Sequence, residues 1–301
     1  MSTINSTTII QKHNFYVLFS TEISTINTWN YHMNNTLKKF SERKEIGLVN
    51  WLGLYTQIQR EIRRFLKVWQ QTVFGPLMTA LLFLFVFSVA IGKARPEIFG
   101  MPFSHFLAPG IIMMMILQNA FANTSSSIVS GKIQGNIVDL LLPPLNAVEL
   151  TLGFVVGGVV RGCLIALIGF SIITFFLKID FYSIFIILYF SLMGSLFMSL
   201  IGIIGGLWAE KFDHMGAVTN FIITPMTFLS GTFYSIKDLP QNIQTIAQYN
   251  PFFQAIDGFR YGITGHADGN LLLGGLCLIL LNIILFSVSC YLFHTGYKLK
   301  S

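Results

Sequence analysis

Six stretches of the sequence are apolar over roughly the 20 residues that an α-helix needs to cross the hydrocarbon core of a bilayer. Inside a membrane, backbone N–H and C=O groups must bond within the protein, which restricts spanning segments to helices or closed barrels. Runs of this length indicate helices, so the sequence predicts an all-α membrane protein with six transmembrane helices. The predicted spans cover about 72–91, 105–125, 150–177, 182–208, 216–234 and 271–293. The fifth is the weakest, because polar residues and Pro225 interrupt it.

The composition supports this class of protein. Of 301 residues, 53% are hydrophobic and 11% are charged, whereas about 25% are charged in an average soluble domain. The 26 glycines favour close helix packing, because small residues let membrane helices approach one another. The three cysteines lie in apolar runs without CxxC or Cys/His spacing, and the six histidines are scattered, so neither a disulfide framework nor a metal site is predicted.

The amino-terminal part divides into two segments before the first span. Residues 1–46 are rich in Asn, Thr, Ser and Lys and are expected to form a mobile cytoplasmic tail. Residues 47–71 are predicted to form an interfacial amphipathic helix. Apolar side chains from Trp51 to Val73 recur at helical spacing and form one stripe, and four basic residues lie off that stripe. A helix that pairs with a coiled-coil partner is the alternative.

A polar interruption between the second and third spans predicts a short amphipathic helix over about 131–142, within the loop 131–149. Apolar and polar side chains alternate at helical spacing there, and Pro143 and Pro144 end the element, since neither can donate a backbone hydrogen bond. This helix either offers a docking surface to a cytoplasmic partner or is an ordinary connector on the bilayer.

Lysine and arginine are distributed unevenly between the two sides that six spans create. With the amino terminus inside, thirteen lie on the cytoplasmic side and five in the outer loops, with Arg161 within a span. This bias predicts that both termini are cytoplasmic. The net charge of +6 is explained by orientation and by contact with anionic membrane lipids, so no nucleic acid partner is expected.

The outer segment 236–262, before the last span, contains more phenylalanine than an exposed loop would carry. Asp238 is expected to cap a short helix from Leu239, and Asn250 followed by Pro251 is expected to start a second. We predict two short helices that re-enter the outer leaflet.

Arg161, in the third span, is the one basic residue near mid-membrane, where a charge costs at least about 2.5 kcal/mol unless it faces protein or water. Either a structural salt bridge or carbonyl contacts compensate it, or it contacts an anionic group of a substrate in the translocation path. All 13 acidic residues lie outside the span centres, which argues against a secondary transporter coupled to protons or cations. A membrane-embedded lipid-linked sugar transferase, the other alternative, would need clustered Asp, His or Arg residues that the sequence lacks.

Several motifs resemble one family. They are QTVFGP at the first span, FLAPGIIMM in the second, DLLLPPLNAVE in the loop, GGVVRG in the third, and TPMTFLSGTFYSIKDLP and YNPFFQAIDGFRYG on the outer side. From about Trp51 onward the chain resembles membrane subunits of type-2 ABC exporters, and within them the YadH-like bacterial inner-membrane permeases. The resemblance implies a six-span domain over 72–301 that works as a dimer with two separate ATPase subunits, which bind ATP and Mg.

The same resemblance implies that the helix at 131–142 couples the ATPase to the membrane. The chain itself has no GxxxxGK[ST] motif, so no cofactor, metal or catalytic residue is expected in it. The substrate is left open among drugs, lipids and lipid-linked glycans or polysaccharides. The predicted coupling residues are Lys132, Ile133, Gln134, Ile137, Asp139, Leu140 and Leu141, and the predicted outer re-entrant residues are Pro240, Asn250, Pro251 and Arg260.

Overall fold

A computed structural model describes Met33, Gly47 and residues 49–90, 92, 97–137, 143–179 and 181–299. The chain forms two units, residues 1–49 and residues 50–301, and the fold given below is that of the second. The predicted tail over 1–46 lies outside the described residues, apart from Met33.

The second unit is helical almost throughout its described part. A π-helical segment, Gln70–Phe74, precedes the second helix, and another, Thr219–Ile223, separates two short helices. A two-stranded antiparallel hairpin, β1 (Glu97–Ile98) and β2 (Met101–Pro102), precedes the third helix. The α-helices in chain order are α1 (Trp51–Lys67), α2 (Gly75–Ala90), α3 (Phe103–Ile133), α4 (Ala147–Leu177), α5 (Ile184–Trp208), α6 (Phe212–Val218), α7 (Thr224–Phe228), α8 (Gln241–Gln248), α9 (Pro251–Thr264) and α10 (Leu271–Thr295).

Five helices in the described ranges are long and apolar enough to cross a membrane: Gln70–Ala90, α3, α4, α5 and α10. They confirm five of the six predicted spans. The predicted fifth span consists instead of pieces of seven, five and five residues, α6, the π-segment and α7. The helix ends at Leu229, where polar and glycine residues follow, before the predicted end of that span.

The centre of the bundle is α3, which packs against α4 and α5. In its most apolar stretch of 18 residues, 83% are buried. Threonine and serine side chains on α3 bond to backbone carbonyls. Thr124, for example, donates from Oγ1 to the Ser199 carbonyl of α5 at 2.8 Å. By contrast, only 17% of the corresponding 18-residue stretch of Gln70–Ala90 is buried. One face of this helix is therefore available to lipid or to another protein.

Two opposite ends of the bundle can be recognised from long-range contacts. At one, here called the loop end, Lys132 at the end of α3 donates from Nζ to the carbonyl oxygens of Leu207 and Ala209, at 2.6 and 2.7 Å. At the other, here called the hairpin end, the Phe99 ring of the β1–β2 turn lies 6.2 Å from that of Phe106 in the first turn of α3. Because α3 runs from one end to the other, these contacts allow other elements to be placed at the loop end or at the hairpin end.

The buried face of α1 coincides only in part with the predicted apolar stripe, since Leu54 and Phe65 belong to that stripe and Gln57 and Glu61 do not. Its buried residues are Leu54, Gln57, Glu61 and Phe65, whereas Trp51 and Tyr55 of the predicted stripe are exposed. Two glycines of α4 explain the close approach. A methyl group added at Gly153 would lie 2.4 Å from the Gln57 side chain, and one at Gly157 would lie 2.6 Å from that of Glu61.

The outer segment forms two short helices, α8 and α9, with one correction to the predicted start of the first. Asp238 ends a 3₁₀ turn, Ile236–Asp238, that Ser235 caps, and α8 begins at Gln241 after Pro240. Proline at 240 cannot continue the turn as a backbone donor, which delays the helix. The second start is confirmed, because the Asn250 side chain accepts from Phe252 N at 3.0 Å.

Candidate functional site

A groove of about 1130 Å³ lies between α1, the start of the π-segment Gln70–Phe74 and α3. It reaches α4 at Phe154 and Arg161, and it extends to the end of α3 near Gln134. We call this cavity the basic groove, because its lining includes Arg60, Arg63, Arg64, Lys67 and Arg161.

No aspartate or glutamate is among the described residues that line the basic groove. The nearest acid in α1 is Glu61, which is fully buried on the adjacent face and lies 3.4 Å from Arg60 and 3.3 Å from Arg64. Within the described part of the chain, Arg63 and Lys67 form no ion pair. The described lining of the groove therefore carries an excess of positive charge.

The Arg64 and Glu61 side chains also hold α1 on α3. Ser127 donates from Oγ to Glu61 at 2.8 Å, and Arg64 donates from Nη2 to the Asn123 carbonyl at 2.6 Å. Removing one member of a buried charged pair costs several kcal/mol, because the other is left uncompensated. One wall of the groove is thus a firmly attached helix.

Arg161 is 7% exposed and donates from Nη2 to the Asn119 side chain of α3 at 2.6 Å. Its Nε is buried and has no hydrogen-bond partner within the described ranges, and it forms no ion pair there. The structure therefore describes a neutral amide as the partner of this charge and no carboxylate within those ranges. It also places Arg161 in the lining of the basic groove.

The predicted coupling segment begins differently from the expectation. Residues 131–133 continue α3, and the helix ends at a turn in which Gly135 adopts a φ of +72°, a left-handed conformation that glycine reaches without strain. Asp139, Leu140 and Leu141 lie outside the described residues.

The described coupling residues point in different directions. Lys132 binds the carboxyl end of α5, as described above, and so does not lie on a free polar face. Ile137 is 8% exposed and packs in a cluster with Leu150 and Phe154, whereas Ile133 is 50% exposed, and Gln134 is exposed as well. Among the described coupling residues, Ile133 and Gln134 are therefore the ones that a partner can reach.

Glu149 joins the far end of the loop to α1. Its carboxylate accepts from Asn50 N at 2.7 Å and from Asn146 N at 2.8 Å, and Asn146 caps α4 by accepting from Glu149 N. The Asn50 side chain caps α1 and also donates to the Pro144 carbonyl at 3.3 Å. One buried carboxylate thus bridges the first turns of two helices.

A second ion pair lies at the loop end. Lys298 donates from Nζ to Glu210 at 2.9 Å and to the Trp208 carbonyl at 3.4 Å. The hydrogen bond from Lys298 lowers the pKa of the Glu210 carboxyl, and the same bond raises the pKa of Lys298. The chain after α10 is therefore held beside the end of α5.

At the hairpin end, the structure buries Arg260, which was expected in an outer segment. Its guanidinium lies 3.9 Å from the Phe106 ring centroid and donates to the carbonyls of Phe106 and Gly231. Asp257 lies 3.9 Å away and accepts from Asp268 N at 2.9 Å. Pro240 lies just before α8, and Asn250 and Pro251 start α9, so these three residues shape the fold around Arg260.

Several residues of the site were not predicted from the sequence. Asn119, Glu61 and Asp257 are polar residues in helices, and only their burial and partners indicate a role. The sequence held a signal for Glu61, because it recurs at helical spacing with Leu54, Gln57 and Phe65. It also held one for Glu149, which stands three residues after Asn146 as in a capping box. No group of three or more metal-binding side chains occurs in the described ranges.

Comparisons with known proteins agree with this architecture. The family model described as "ABC-2 type transporter" matches residues 53–264. The inner membrane transport permease YadH of Escherichia coli K12 is 34% identical over 252 residues, which cover 83% of this chain and 98% of that protein. Nodulation protein J of Neorhizobium galegae is 25% identical over 237 residues, covering 77% of this chain and 88% of its own length.

Proposed function

Since this chain belongs to the ABC-2 type transporter family and is the membrane subunit of an ABC exporter, we propose that two copies form the translocation path and that separate ATPase subunits drive it. The protein is a multi-pass inner-membrane protein. In the proposed complex the partner ATPase binds ATP and Mg, and this chain contributes no cofactor site.

The ATPase is proposed to dock on the coupling segment at the end of α3. The observation that carries this proposal is that the segment is attached at both sides to other elements. At its start Lys132 binds the end of α5, and at its far side Glu149 binds the start of α1. A displacement of the segment would therefore move α1 and α5 together, which is what coupling requires.

Six crossings and two cytoplasmic termini are proposed from the positions of the contacts. Glu210, just before α6, pairs with Lys298 at the loop end, whereas Gly231, just after α7, accepts from Arg260 at the hairpin end. The stretch between them thus passes from one end of the bundle to the other although it is interrupted. Its π-segment and Pro225 need protein neighbours, because freed backbone groups cannot face lipid.

The second copy is proposed to cover the exposed faces of Gln70–Ala90 and of the stretch from α6 to α7. Both are apolar and poorly covered within one chain, as Phe85 and Phe221 show, with 67% and 81% of their surfaces exposed. Around the assembly, the exposed aromatic residues of α1 are suited to the lipid headgroup boundary.

The docking proposal is tested by changing Ile133 to Asp in the full chain, tagged and expressed with a P-loop ATPase encoded beside it. The charge replaces an exposed apolar contact outside the bundle core, so insertion should persist. Retention of the ATPase should fall about tenfold or more, as for a central interface residue. Co-purification and ATP hydrolysis are the measurements, and the chain alone should hydrolyse no ATP.

The matched control is Ile246 to Asp, which places the same charge on an exposed isoleucine of α8 at the hairpin end. ATPase retention should be unchanged in this variant. Equal retention in the wild type and in the Ile133 variant, or ATP hydrolysis by the chain alone, would contradict the proposal.

A further inference from the structure

We propose that the basic groove binds the phosphate-type headgroup of an acidic amphiphile, with the apolar part of the ligand leaving the groove beside α1. This inference rests on the proposed function, since it assigns a ligand class to a site in an export subunit. The shared chemistry is a compact, multiply charged oxyanion, and it could be carried by a lipid or by a soluble phosphate.

The first observation is the imbalance of charge. Arg63 and Lys67 line the groove without an ion pair in the described part of the chain, and Arg60 and Arg64 share the single carboxylate of Glu61. A cleft that is lined by one sign of charge and walled by apolar helices focuses its field and concentrates ions of the opposite sign. The groove is thus suited to an anion.

The second observation is the pair of buried donors. Nε of Arg161 and Nε of Arg64 are both buried, and neither has a hydrogen-bond partner in the described ranges. A buried donor without an acceptor costs roughly 1–3 kcal/mol, and more on a charged group. Both guanidinium groups belong to side chains that line the groove, and each presents its donors as a planar fork that matches phosphate oxygens, so an oxyanion suits these groups in a way that a neutral ligand does not.

The third observation is the size and the mixed lining of the cavity. At about 1130 Å³ it exceeds the roughly 300–1,000 Å³ of pockets for drug-sized ligands. Apolar side chains of three helices, Phe65, Ile128 and Phe154, line it beside the cations. This combination favours a ligand with a charged head and an apolar body. The exposed aromatic face of α1 is where such a ligand would meet the headgroup layer.

The contribution of Arg161 separates this inference from simple attraction of α1 to an anionic bilayer. Basic residues on the outside of an interfacial helix contact lipid headgroups without any enclosed site. Arg161 belongs to α4, lies within the bundle and still lines the same cavity as Arg63 and Lys67. The charges of two helices therefore converge on one cavity.

The test is native mass spectrometry of the full-length chain purified in a neutral detergent. The probes are phosphatidic acid, phosphatidylcholine with the same acyl chains, and inorganic phosphate as a competitor. The variant changes Arg63 and Lys67 to Gln, because both side chains are exposed and hold no described contact. The control changes Lys178 and Lys211 to Gln, which removes two charges outside the groove.

We expect phosphatidic acid to bind more tightly than phosphatidylcholine. Its affinity should fall roughly fivefold for each cation removed from the groove, and the control should stay within about twofold of the wild type. A charge-retaining variant, with Arg63 changed to Lys and Lys67 to Arg, should bind as the wild type does, which separates lost binding from lost folding.

Competition by inorganic phosphate would assign the affinity to the phosphate group alone, and lack of competition would assign it to the whole amphiphile. Equal affinity for the two lipids, or equal losses in the groove variant and the control, would overturn the inference. The measurement uses neither ATP nor the ATPase, so its failure would leave the coupling proposal standing, and a failed ATPase interaction would leave the groove standing.

Discussion

Single residues show why a buried arginine is not by itself a binding residue. The Arg260 guanidinium lies over the Phe106 ring, donates to two backbone carbonyls and has the Asp257 carboxylate nearby. Elements of the hairpin end contribute all of these groups. Both arginines have a buried donor without a described hydrogen-bond partner, but that of Arg260, Nη1, lies 3.9 Å from the Asp257 carboxylate, whereas Arg161 has only the neutral side chain of Asn119. We interpret Arg260 as structural for this reason, and Arg161 as the arginine that is available to a substrate.

Changing Arg161 to Lys or to Leu should leave insertion and ATPase assembly intact, because Leu is favourable in a span and Asn119 is left as an ordinary amide. Stimulation of ATP hydrolysis by an added acidic lipid should be lost in both variants, since lysine is a point charge that cannot bind an oxyanion bidentately. The measurement compares basal and stimulated rates in reconstituted complexes. Normal stimulation in the Leu variant would show that Arg161 is structural.

The elements with the greatest mechanical importance are α1 and the loop before α4. The first turn of α1 is bonded to Glu149, its middle is packed on two glycines of α4, and its end is paired with α3 through Arg64. The helix therefore cannot slide freely along the bundle. It must follow the loop.

Replacing Glu149 with Gln should loosen this attachment. The amide keeps one accepting oxygen and turns an NH₂ group toward one of the two backbone donors, so one charge-assisted hydrogen bond is lost, at a cost of about 1.5–3 kcal/mol. Amide hydrogen exchange in residues 50–54 and 145–149 should accelerate roughly tenfold or more. Glu97 to Gln, in the exposed β1 strand, is the control. Unchanged exchange in the Glu149 variant would show that the bridge is dispensable.

For the whole molecule, the decisive feature is that each end of the bundle is closed by contacts between distant parts of the chain. Lys132 and Lys298 gather at the end of α5, and Phe106, Gly231 and Arg260 gather at the hairpin end. In the proposed arrangement an interrupted helix crosses between these ends, and the Thr219 and Thr227 hydroxyls donate to carbonyls within it, those of Met215 and Thr224.

The six-crossing arrangement predicts the accessibility of single cysteines to a membrane-impermeant maleimide. In a variant whose natural cysteines are replaced, a cysteine at Thr245 should react in intact spheroplasts. Cysteines at Lys211 and Tyr297 should react only after lysis, since both positions lie at the loop end. If Lys211 and Thr245 reacted alike, the stretch from α6 to α7 would not cross, and the topology would be wrong. The replaced cysteines are Cys163, Cys277 and Cys290.

The sequence by itself determined the five long apolar helices, their order and several helix starts. Length and hydropathy suffice for a span because lipid leaves a backbone so few ways to bond, and a cap such as Asn250 acts within one turn of its own helix. For the same reason the weak fifth span was recognisable as weak, since its interrupting residues are local.

Only the tertiary structure decided which surfaces meet. The buried face of α1 contains Gln57 and Glu61 because glycines of α4, about a hundred residues away, leave room for them. Ile137 packs into the bundle, and Arg260 donates to the carbonyls of Phe106, in α3, and of Gly231, after α7, which are both far from it in the sequence. Local periodicity tells which side chains share a face, but the partner of that face depends on packing between helices that the chain brings together only when it folds.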